Sequence, residues 1–96
     1  MMRVSAGIVR YPDGRILICR RGEGRKNAHL WEFPGGKQEA GESPEDALRR
    51  ELLEELSLPI ADISPLCRRE AQGIAFDFLT ATATRAPVLT EHEDYA

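Results

Sequence analysis

Hydrophobic and polar positions follow three rhythms along this chain. Val4 to Tyr11 is apolar and β-branched, Pro12-Asp13-Gly14 supplies a turn, and Arg15 to Arg20 resumes the pattern around Ile16-Leu17-Ile18-Cys19. That spacing predicts a β-hairpin. Gly22 to Leu30 is polar, basic and glycine-bearing, hence a loop, and Trp31-Glu32-Phe33 is a brief extended piece ended by Pro34-Gly35-Gly36. The rhythm then changes to three and four: Ala47, Leu48, Leu52, Leu53 and Leu56 predict an amphipathic helix over 44–56. Ser43 is its N-cap, Pro44 suits its first position, and Asp46 stands where a capping box places its acid. Pro59 disfavours helical geometry at Leu58 and closes the element. Ile63 to Ala71 and Ile74 to Thr84 read as two further strands with Gly73 as the turn between them. Strands on both sides of one helix, without βα alternation, predict a single α+β domain with a mixed sheet.

Composition narrows the function without naming it. The chain has 96 residues, with 42% hydrophobic and 30% charged, which fits one ordinary globular domain. A net charge of −3 argues against a nucleic-acid polymer as partner, while a small anionic ligand stays open if a bound metal reverses the local potential. No apolar run is long enough to cross a bilayer, and the start lacks the layout of a signal peptide, so a cytoplasmic, membrane-free protein is expected. Two cysteines, Cys19 and Cys67, fit a reduced compartment, with Cys19 a small core residue. An oligomer remains open.

The helix carries the candidate chemistry. Glu51, Glu54 and Glu55 stand at i, i+3 and i+4, so the helix crowds three carboxylates onto one stripe. Like charges at that spacing repel, and a hard divalent cation would offset the repulsion. The competing interpretation is a solvated face with Glu45–Arg49 and Arg50–Glu54 pairs.

The surrounding residues decide between them. Glycine, five residues, Glu, seven residues, then Arg-Glu-apolar-x-Glu-Glu-x-Gly-apolar is the Nudix box. This chain resembles it at Gly36, Glu42, Arg50, Glu51, Leu52, Glu54, Glu55 and Leu58, within residues 36–58. The entry Leu30-Trp31-Glu32-Phe33-Pro34-Gly35-Gly36-Lys37 looks like the MutT-like branch, whose members hydrolyse nucleoside triphosphates. One box position departs: Ser57 stands where the family has glycine. That glycine would serve as a left-handed residue beyond the helix end, where serine costs about 1 kcal/mol.

The resemblance implies an α/β/α sandwich with a mixed sheet. It also implies Mg²⁺ as cofactor, with Mn²⁺ a substitute, held by Glu54, Glu55 and the main-chain carbonyl of Gly35. Glu51 would be a further ligand or the base that activates water, and Arg50 would hold the glutamates by charge-assisted hydrogen bonds. Glu42 would brace the loop or meet a metal through water. Glu91 lies where the family often adds a late-loop glutamate, with Glu93 its neighbour and a plain acidic tail the alternative. Arg21 matches a phosphate-contacting position. Gly36, Lys37, Phe33 and Phe78 complete the substrate-binding candidates. Phe33 and Phe78 serve equally as core, and Trp31 is expected in the core. A complete family domain continues with another strand and a second helix, so the chain is expected to be C-terminally incomplete and the base-selecting part hidden. The implied activity is Mg²⁺-dependent cleavage of a nucleoside triphosphate, such as 8-oxo-dGTP or CTP, to the monophosphate and pyrophosphate. Two alternatives are a Nudix-like module that binds nucleotide without cleaving it, and the accessory domain of repair glycosylases.

Overall fold

A computed structural model describes residues 1–21, 30–88 and 92–96; of Arg21 and of 92–95 it describes the backbone alone. In chain order the elements are β1 (Met2–Arg10), β2 (Cys19–Arg21), β3 (Trp31–Glu32), β4 (Gly35–Lys37), α1 (Pro44–Leu56), β5 (Ala61–Ala71), β6 (Ile74–Thr82) and β7 (His92–Tyr95). Strands β4-β1-β6-β5 form one sheet, and β3-β2-β7 form a second. Within the larger sheet β1 and β6 run parallel, whereas β4 and β5 are antiparallel to their neighbours, so the sheet is mixed as expected.

Alternation in β1 and β6 builds the floor of the domain. Ser5, Gly7 and Val9 of β1 and Ala75, Asp77, Leu79 and Ala81 of β6 are buried toward α1. Val4, Ala6, Ile8, Phe76 and Phe78 lie on the opposite face, partly covered. Helix α1 presses Leu48 so close to Gly7 that a Cβ there would sit 3.0 Å from a Leu48 methyl. Leu48, Leu52, Leu56, Leu58 and Leu79 are all buried in one cluster with Val9, Leu17 and Cys19. Each such side chain contributes about 1.5–3 kcal/mol on burial.

The helix begins and ends where its residues predict. The Asp46 N–H donates to Ser43 Oγ at 3.1 Å, capping the first turn. At the other end Ser57 adopts φ 48°, ψ 36°, and its N–H returns to the carbonyls of Leu52 and Leu53. Serine therefore occupies the left-handed position that glycine would take without strain.

Three expectations are corrected. The Pro12–Gly14 turn forms, with Tyr11 N–H to Arg15 O and Leu17 N–H to Val9 O both at 2.9 Å. The hairpin ladder stops at a single Arg10–Ile16 bridge, because β4 takes the edge of β1 from Val4 to Ala6. The chain then crosses to the second sheet, where Cys19 pairs with Glu32. Pro34-Gly35-Gly36, expected to end an extended piece, leads instead into β4. Trp31, expected in the core, is 44% exposed because its short strand lies at the edge of the second sheet. By contrast, the β5–β6 turn is sharper than its glycine alone suggested. Gln72 (φ 52°) and Gly73 (φ 78°) are both left-handed, as a two-residue type I′ hairpin requires.

Candidate active site

The site is built where β4 passes the middle of α1. Gly35 has φ 154°, and a Cβ on it would run into the Ser5 carbonyl oxygen. A Cβ on Gly36 would collide with the Glu51 carboxyl group. Two glycines thus let the strand lie against β1 on one side and receive the Glu51 carboxylate on the other. They form a seat for that carboxylate.

Arg50 organises the acids around this seat. Its Nε donates to Glu42 Oε2 at 2.8 Å and its NH2 to Glu42 Oε1 at 3.0 Å, a two-pronged pair. NH2 also donates to the Lys37 carbonyl at 2.9 Å. NH1 donates to Glu51 Oε1 at 3.0 Å and Glu54 Oε2 at 3.2 Å. The five N–H groups of a guanidinium are thereby committed. Arg50 hydrogen bonds, assisted by the Glu39 N–H at 2.9 Å, push the Glu42 carboxyl down to about 2. The same carboxylates raise the Arg50 pKa above its ordinary value. Glu42 therefore braces the loop to the helix. The exposed face differs from expectation in one pair: Arg49 meets Asp46 at 3.3 Å, an i,i+3 contact, where Glu45 was expected.

The three stripe glutamates occupy different environments. Glu51 is largely covered, Glu54 is 59% exposed, and Glu55 is partly buried. Cys19 feels Glu55: burial first, then the charges of Glu32 and Glu55, push its thiol up to about 12. That thiol stays protonated and unreactive, which suits a core residue.

Of the expected site residues, Gly35, Gly36, Glu51, Glu54, Arg50 and the Lys37 carbonyl come together, and the Lys37 side chain is exposed. Phe33 is 42% exposed just before β4. Phe78 does not join them: it stacks on Phe76, centroids 6.1 Å apart, on the sheet face turned away from α1. The Arg21 side chain and Glu91 lie outside the described residues. Among the described residues no three His, Cys, Asp or Glu side chains are gathered as a metal cage. The donor set is nevertheless of the right kind, since carboxylate and carbonyl oxygens suit Mg²⁺. Glu42, Glu51 and Glu54 set three carboxylates against the one guanidinium of Arg50, which leaves the cluster net negative.

One cluster escaped the sequence analysis. Asp77 accepts hydrogen bonds from Arg68 Nε at 2.8 Å and Gln38 Nε2 at 2.7 Å, with Arg3 NH2 at 3.5 Å. Gln38 Nε2 also donates to Ser5 Oγ at 3.2 Å, and Ser5 donates to the Pro44 carbonyl at 2.9 Å. Burial pushes the Asp77 carboxyl up, but Arg68 and Gln38 outweigh it and hold the group below the usual carboxylate range. The available signal was a charged residue on the buried face of an otherwise apolar alternation.

A family model described as NUDIX domain matches residues 1–93. The chain is 50% identical over 58 residues to an 8-oxo-dGTP diphosphatase of Haemophilus influenzae, covering 60% of this chain and 43% of that protein. It is 48% identical over 58 residues to a CTP pyrophosphohydrolase of Escherichia coli, covering 60% and 42%. The matched segment thus spans less than half the length of each of these relatives. A solved MutT structure, from Aliivibrio salmonicida or Vibrio cholerae, superposes with a TM-score of 0.86 at 34% identity, covering 99% of this chain and 77% of that one.

Proposed function

The chain belongs to the NUDIX domain family, in its MutT-like branch, and from that premise we propose that it hydrolyses a nucleoside triphosphate to the monophosphate and pyrophosphate. The observation that carries the reading is the Glu51 carboxylate seated on bare Gly36, with Arg50 spanning Glu42, Glu51, Glu54 and the Lys37 carbonyl. The 8-oxo-dGTP and CTP activities of the relatives named above make oxidised purine and pyrimidine triphosphates the substrates of choice.

In this reading Glu54, Glu55 and the Gly35 carbonyl would hold Mg²⁺, for which Mn²⁺ could substitute, with Glu51 a further ligand or the base. The bound cation would offset phosphate charge and make water more acidic. Water oxygen forms a bond to phosphorus as the bridging P–O bond breaks, pyrophosphate leaves, and the water proton passes to a carboxylate. Arg50, with its donors committed, is a positioning residue in this scheme: it fixes the carboxylates and does not touch substrate. Arg21, Lys37 and Phe33 are the proposed substrate contacts, and Glu91 a proposed additional ligand. A small nucleotide, not a polymer, matches the net charge of −3.

The test is pyrophosphate release from a panel of triphosphates, with and without Mg²⁺. Glu54 is exposed and makes one hydrogen bond to Arg50, so Glu54→Gln should stop turnover while leaving the melting temperature nearly unchanged. Turnover of that variant at the wild-type rate would sink the assignment. Tight nucleotide binding without product would favour the non-catalytic module instead.

A further inference from the structure

Asp77 is 8% exposed, on the α1-facing side of β6 between the apolar positions Ala75 and Leu79. Arg68 Nε donates to its Oδ1 at 2.8 Å, and Gln38 Nε2 is the short partner of its Oδ2 at 2.7 Å, so each carboxylate oxygen has its own close donor. Gln38 is held twice by its side chain, to Asp77 and to Ser5, and once by its main-chain N–H to the Arg3 carbonyl at 2.8 Å. The peptide that carries this N–H also carries the Lys37 carbonyl, the oxygen that Arg50 NH2 grips. One residue earlier, Gly36 seats Glu51.

We propose that Asp77 and Gln38 are positioning residues for the acidic cluster. From β6 and from the residue that follows β4, they fix the Lys37–Gln38 peptide against which Arg50 and Glu51 are set. The inference rests on the hydrolase reading for its activity arm. Its physical basis is that a displacement of about 1 Å in a catalytic arrangement can cost about 100-fold in rate. Arg50 has no spare donor with which to follow a shifted carbonyl.

The experiment compares the wild-type chain with Gln38→Met, Asp77→Asn and a core control, Val9→Ala, all well below the lowest melting temperature. Three quantities are read: kcat, KM for the best nucleotide, and the Mn²⁺ dissociation constant by electron paramagnetic resonance without nucleotide. Gln38→Met should lower kcat and weaken Mn²⁺ binding by about 10-fold or more, the usual effect of removing a support behind metal ligands, with KM little changed. Asp77→Asn keeps an acceptor for Gln38 but turns an amide N–H toward Arg68, so a smaller loss in the same direction is expected. Val9→Ala lowers the melting temperature and alters neither kcat nor Mn²⁺ affinity. A folded Gln38→Met with unchanged kcat and Mn²⁺ affinity overturns the proposal. If Gln38→Met does not fold, Asp77→Asn decides by the same readouts. If the wild-type chain hydrolyses nothing in the panel, the hydrolase reading fails, and the Mn²⁺ constants alone decide the positioning role.

Discussion

Replacing Arg50 tests how much of this site is held by one guanidinium. Four of its five hydrogen bonds go to carboxylates and the fifth to the Lys37 carbonyl. The side chains of Arg50, Glu42 and Glu51 are 23%, 14% and 13% exposed, so those contacts lie largely out of water. The Glu54 contact is a surface pair and adds less than about 1 kcal/mol. Removing one partner from a covered ion pair costs about 3–5 kcal/mol, because the remaining charges lose their compensation. Solvent access places Arg50→Met at the low end, about 3 kcal/mol, which is a large share of the stability of a small domain. Arg50→Lys keeps the charge but not the fork, and one ammonium cannot grip Glu42 twice while reaching Lys37 and Glu51. It should lose about 2 kcal/mol. Urea unfolding followed by far-UV circular dichroism measures both. The double variant Glu42→Gln/Arg50→Met should lose at least about 1 kcal/mol less than the two single losses combined. An Arg50→Met loss below about 1 kcal/mol, or an Arg50→Lys variant as stable as the wild type, would refute the reasoning.

Two further outcomes follow from particular backbones and charges. Ser57→Gly removes the left-handed strain and restores some unfolded-state entropy, for a net gain of about 0.5–1 kcal/mol. A melting temperature that falls in this variant would contradict the strain assignment. Glu42 has a folded-state value of about 2 against the ordinary 4.5. The unfolded chain therefore binds its proton first, and the stability that Glu42 contributes is complete above about pH 4.5 and lost as pH falls toward 2. Asp77 is displaced in the same direction and adds to the acid loss. Urea midpoints measured across that window should decline less steeply in Glu42→Gln, and an identical slope would show that Glu42 is not the titrating group.

What the chain discloses about itself depends on how local the cause is. Helix α1 was readable from end to end because Ser43, Pro44 and the leucine spacing act within a few residues, and the glycine that the resemblance puts at position 57 marked where left-handed backbone was needed. The alternation in β1 and β6 likewise marked one buried face on each strand. Pairing partners were not readable. Nothing in Gly35-Gly36-Lys37 announces a strand, since glycines carry no pattern, yet that strand displaces the expected hairpin partner of β1. Spacing announced only the Arg50–Glu54 pair and the resemblance implied the wider grip on the glutamates, whereas the Asp77–Gln38 bond joins residues far apart in the chain through a contact that only the folded sheet creates.

The parallel pairing of β1 with β6, from Met2 opposite Ile74 to Arg10 opposite Thr82, also sets an order of events in time. A helix relaxes within about a microsecond, whereas closing a loop that spans most of the chain is entropically slow. As the polypeptide leaves the ribosome, the glutamate-bearing helix can form long before the strand that carries Asp77 has been made. Until β6 arrives, β1 presents an unpaired apolar edge, the kind of intermediate surface that chaperones capture. Slow refolding limited by β1–β6 closure, with helical signal regained early, is the kinetic signature expected of this topology.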